Sequence, residues 1–155
     1  MFREMIAASL ALLLGATSTH AFNELKGITK VRLVVGDLDD DAKKCGLTEE
    51  AIKRRLIPSV QFDTDIKIVD EPKIPQLKFE VLVLRKHGLC AAHVILQLVM
   101  IEPFDFAPDD KRAGTIELFR AGAIEATKKT DGAEILVAVG TLGHALAQQW
   151  DEDNL

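Results

Sequence analysis

Two long alternating runs meet at a glycine turn, and no other feature of this sequence restricts the fold as strongly. Gln76–Lys86 sets Leu77, Phe79, Val81 and Val83 to one side and Lys78 and Glu80 to the other. His87 and Gly88 follow, and residues 90–102 form a second long apolar run. Successive strand side chains point to opposite faces, so a period of two with one apolar face marks a half-buried strand. Glycine at the tip between two such runs marks an antiparallel hairpin. A hairpin alone is marginal in water, so further strands or helices must cover its apolar face.

The rest of the chain supplies them. Residues 25–38 hold a first strand, in which Val31, Leu33 and Val35 share a face; Gly36 and the acidic run Asp37–Asp41 end it. Thr48 followed by Glu49 and Glu50 starts a helix: the threonine caps orphan amides, and the carboxylates suit the positive end of the dipole. Ala51, Ile52 and Leu56 are its buried stripe, and Pro58 predicts an end or a kink near Ile57. Residues 65–69 read as a short strand. Residues 103–114 read as an acidic, proline-bearing loop. Residues 115–127 alternate through Ile116, Leu118 and Ile124. Asp131 caps a last helix carrying Ile135, Val139, Leu142, Leu146 and Trp150, and residues 151–155 read as a polar tail. The expected fold is α+β, in the order β-α-β-β-β-β-α. It has a mainly antiparallel sheet of five strands, with two helices packed on one face.

Residues 1–21 have the layout of a cleavable secretory signal: Arg3 at the start, an apolar core over residues 6–14, and Thr19-His20-Ala21 at the cleavage site. That core is about half of the ~20 residues a membrane span requires. Residues 22–155 are then a single domain, periplasmic or secreted, with no transmembrane segment. The formal net charge of −5 argues against nucleic acid as a partner. Export permits a disulfide between Cys45 and Cys90. If every element reverses direction, however, the two cysteines fall at opposite ends of the sheet, too far apart to bridge.

The stretch 25–35 (LKGITKVRLVV) and the stretch 41–56, with its Gly46-Leu47-Thr48 helix start, resemble small exported bacterial proteins without assigned function. The sequence departs from that pattern at Pro58 and around Leu118. The resemblance implies a periplasmic α+β protein and carries no catalytic residues with it.

Candidate chemistries weaken one by one. Asp37, Asp39 and Asp41 have the spacing that opens a calcium loop, but Ala42 and Thr48 stand where its glycine and closing glutamate belong. Cys90 and His93 lie three apart on a strand, hence on opposite faces, and do not converge on one metal. Ser59, the one serine after the leader, has no nucleophile elbow around it, and there is no tyrosine. Gly140-Thr141-Leu142-Gly143 reads as close helix packing on the sheet, and Lys53-Arg54-Arg55 as a solvated helix face. No catalytic residue, metal or cofactor is assigned. What stands out is the hairpin face carrying Leu82, Leu84, Ile95, Val99 and Ile101, too apolar to leave in water. The expectation is a non-catalytic binding or protein-interaction module, with a homodimer or an envelope protein on that face. The alternatives are a small hydrolytic or thiol-dependent enzyme using Cys90 with a histidine such as His93, and a carrier of an apolar small molecule.

Overall fold

The computed structural model describes residues 24–107 and 110–155; the secretory signal expected over residues 1–21 lies outside them. The elements are β1 (Lys30–Val35), α1 (Asp40–Lys44), α2 (Glu49–Val60), β2 (Lys67–Ile68), β3 (Gln76–Lys86), β4 (Leu89–Ala107), β5 (Asp110–Thr127) and α3 (Ala133–Asn154). The fold is α+β with five strands, in the spatial order β2-β1-β3-β4-β5.

Two parts of the expected architecture are corrected. The sheet is mixed: β1 runs parallel to both β2 and β3, and only β3, β4 and β5 are antiparallel. There are three helices among the described residues, since the acidic run after β1 folds into α1, with Asp39 Oδ1 accepting from Ala42 N at 2.7 Å. The parallel pairing follows from the connections. The helical crossover returns the chain beside β1 in the same direction, and the loop over residues 69–75 steps across β1 to begin β3 beside Arg32.

Direction decides the cysteines. Because β3 runs parallel to β1, the Gly88 turn lies at the same end of the sheet as the exit from β1. Cys45, which closes α1 there, is bridged to Cys90, with Cα atoms 6.0 Å apart. The expectation of separated cysteines fails on that single reversal. The bridge spans 45 residues, for which loop-closure entropy gives about 4 kcal/mol of stabilisation. Both cysteines are fully buried.

Boundaries shift for local reasons. Helix α2 keeps its threonine cap, with Thr48 Oγ1 accepting from Ala51 N at 3.1 Å, but it passes through Pro58 to Val60. Ser59 Oγ donates to Arg55 O and Gln61 N to Ile57 O, holding the turn around the proline. The expected loop over residues 103–114 is instead strand on both sides, so β4 and β5 form a hairpin longer than β3. Gly132, at φ 70°, is the N-cap of α3, and Asp131 assists by accepting from Ala133 N at 3.1 Å. The expected polar tail is helical to Asn154 because it is tied down. Asp153 accepts from Leu25 N at 3.0 Å, Asn154 from Gly27 N at 2.9 Å, and Trp150 Nε1 donates to Ile28 O at 2.7 Å.

All three helices lie on one side of the sheet. Helix α3 rests on β4 and β5, α1 on β3, and α2 packs on α3. Leu77, Phe79, Leu96 and Leu98 meet Ile52, Leu56, Ile135 and Leu146 in the core. The two glycines of the Gly140–Gly143 pair face α2 rather than the sheet. A Cβ on Gly143 would sit 2.7 Å from Ser59 Cβ and 3.2 Å from Leu56 Cδ1, whereas the nearest atoms to one on Gly140 belong to the Arg55 side chain. Gly143→Ala should therefore lower stability by about 1–3 kcal/mol in urea unfolding. Gly140→Ala should be neutral or stabilising by up to about 1 kcal/mol, since the arginine can swing aside and alanine favours helix.

Candidate functional site

The side of the sheet away from the helices is built from alternate residues of β1, β3, β4 and β5. The register sets them in rows across the strands. Lys78 lies beside Gln97 and Arg120; Glu80 beside Ile95 and Gly122; Leu82 beside His93 and Ile124; Leu84 beside Ala91 and Ala126; Lys86 beside Leu89. The middle rows are apolar and wet: Leu82 is 70% exposed, Leu84 63% and Ile124 64%. Burying a leucine or isoleucine of this kind against a partner is worth about 2 kcal/mol. A monomer gains nothing from displaying three of them on one face.

Structure places the anticipated site residues unevenly. Leu82, Leu84 and Ile95 lie together on this face. Val99 takes a register position on it, opposite Gln76, but its side chain is buried and stands apart from the main core cluster. Ile101 is exposed beyond the end of β3, where β4 is paired with β5 alone. Ile124 belongs to the patch although its alternation with Ile116 and Leu118 had put all three on one face. A bulge at Leu98/Val99 sets Val99 opposite Glu117 and Leu98 opposite Phe119, so an extra residue inverts the parity of β5. The signal for it was Phe119, Ala121 and Ala123, a second set of small or apolar residues in the opposite phase.

A surface depression of about 350 Å³ opens beside the patch, where β1 stops at Gly36 and exposes Glu80, Leu82, His93 and Ile95. The His93 ring lies over Gly122, whose missing Cβ would otherwise sit 3.5 Å from Nε2. This depression is on the outer face, not between sheet and helices.

The remaining polar candidates have structural partners. Asp39 caps α1, and Asp41 Oδ2 accepts from Arg85 N at 3.1 Å, strapping α1 to β3. No cluster of histidine, cysteine, aspartate or glutamate suited to a metal occurs among the described residues. His144 packs edge-on against Phe62, with ring centroids 5.4 Å apart. Cys90 is buried in the disulfide on the inner face while His93 is exposed on the outer one, so the two do not form a thiol–histidine pair. With both cysteines bridged, no free thiol is left to act as a nucleophile.

No protein-family model and no curated protein matches the chain. The difference between exposed and buried members of the face is itself testable. Leu82→Ser and Ile124→Ser should each leave unfolding free energy within about 0.5 kcal/mol of the parent. Val99→Lys, which buries an unpaired ammonium, should cost more than about 2 kcal/mol in the same urea titration.

Proposed function

We propose that the protein is a non-catalytic binding module of the cell envelope, exported to the periplasm, that holds a partner on the outer face of its sheet. One observation carries the reading: Leu82, Leu84 and, across His93, Ile124 stand exposed on a face that none of the described helices covers. The surface is suited to recognition because it is rigid. It is made of central and edge strands whose other face is packed core, and the β3–β4 turn beside it is anchored to α1 by the disulfide. Affinity then comes from apolar burial, with little conformational entropy lost on binding.

Export is supported from two directions. A buried structural disulfide is ordinary in oxidising compartments and rare where glutathione keeps thiols reduced. The first residues of the chain have the order of charge, apolar core and small residues that a secretion signal requires. No helix among the described residues is long and apolar enough to cross a membrane. The resemblance to small exported bacterial proteins agrees with both.

Two kinds of occupant use a surface of this sort, a second copy of the chain and a different envelope protein. A photo-crosslinking residue in place of Leu84, expressed with the native leader, should give adducts in the periplasmic fraction; the same residue in place of Arg54 on α2 should give none. Adduct mass separates the dimer from the foreign partner. Equal yields at the two positions, or adducts at Arg54 alone, would remove the outer face from consideration.

A further inference from the structure

Charge on the outer face distinguishes between its occupants. The protein is acidic, at −5, yet the apolar rows are closed at both ends by cations. Arg32 and Lys78 lie at one end and Lys86 at the other. None of the three takes part in the ion pairs of the described residues, unlike Lys30, held by Glu71 at 2.9 Å, and Arg120, which Glu117 approaches at 3.7 Å.

A two-fold dimer brings the same patch against itself. If the axis runs across the strands, the Arg32–Lys78 end of one copy faces Lys86 of the other. If it runs along them, the Arg32–Lys78 end faces its own copy. Both arrangements oppose like charges at the rim, which costs association instead of assisting it. A partner with carboxylates at both ends of an apolar centre reverses that sign. An anionic membrane presents the same charge, but it would also press headgroups onto Glu80, which stands exposed in the middle of the face beside Asp37 at the depression. A polypeptide can offer N–H groups to those two carboxylates while its own acids reach the rim.

We propose that the outer face takes an acidic polypeptide segment, its apolar residues over Leu82, Leu84, Ile95 and Ile124 and its carboxylates at Arg32, Lys78 and Lys86. This rests on the binding reading above and names the chemistry of the partner. Fluorescence anisotropy with the disulfide-bonded protein compares two labelled synthetic peptides, one with a leucine-rich centre between glutamate-rich ends, the other with lysine in place of every glutamate. The glutamate peptide should bind at least about tenfold more tightly, and the preference should shrink as salt is raised. Lys78→Glu combined with Lys86→Glu should invert the preference with no change in the melting curve.

The proposal is overturned if both peptides bind equally, if neither binds, or if the preference survives charge reversal. It is also overturned if phosphatidylglycerol vesicles retain the protein and compete the glutamate peptide away. Leu82→Ser with Ile124→Ser separates the two levels. If that pair abolishes peptide binding while charge reversal does nothing, the face binds but its partner is not selected by acidity. If neither variant affects binding, the peptide sits elsewhere and the outer face is not the site.

Discussion

Parallel pairing between β1 and β3 is the constraint on which the remaining structure depends. It places the exit of the first strand and the tip of the β3–β4 hairpin at one end of the sheet, within reach of a single covalent bridge. Without it, α1 would have no neighbour on β3, and Asp41 could not accept from the Arg85 amide. The crossover helix pair lies on one side for a companion reason, the parallel pairing of β1 with β2. A connection between parallel strands passes over one face of the sheet, and α1 and α2 are that connection. When α3 packs on α2 and on β4 and β5, the same face is completed and the other is left open.

The two ends of the described domain reinforce this arrangement. Leu25, Gly27 and Ile28 precede β1, and they are held by Asp153, Asn154 and Trp150 from the last turns of α3. The chain therefore closes on itself at the base of β1 and is bridged by cysteine at its top. An exposed apolar face on such a body is not a by-product of loose packing. The helix layer is filled to the point where Gly143 has no space for a methyl group, while on the other side of the sheet three large side chains contact water.

Faces were legible in the sequence; directions were not. The alternation in Gln76–Lys86 and the Thr48 helix start are local patterns, and they survive unchanged because local sterics and capping determine them. Whether β3 runs with or against β1 depends on how a two-residue strand and a seven-residue loop route the chain, and neither carries a periodic signal. Pro58 and Pro103 misled in opposite settings for related reasons. The first is accommodated by the neighbouring Ser59 hydroxyl bonding Arg55 O. The second lies where β4 is paired on one side only, and a missing N–H is tolerated at such an edge. Of the candidate site, Leu82, Leu84 and Ile95 were readable because β3 and the near half of β4 alternate without interruption. Ile124 was not, since a bulge changes the side on which the residues of β5 beyond it emerge, and Val99, though in its expected register position, is buried beside that bulge.

The same geometry links the proposed compartment to the proposed function: a bridge favoured by an oxidising environment ties the β3–β4 turn beside the face on which a partner is proposed to sit. Peptide mapping of the purified, unreduced protein after blocking free thiols tests this most directly. The account predicts one cross-linked peptide pair containing Cys45 and Cys90, separated by reductant. Finding both thiols alkylated in the folded protein would contradict the topology that puts β1 and β3 side by side and, with it, the fixed face on which the functional reading stands.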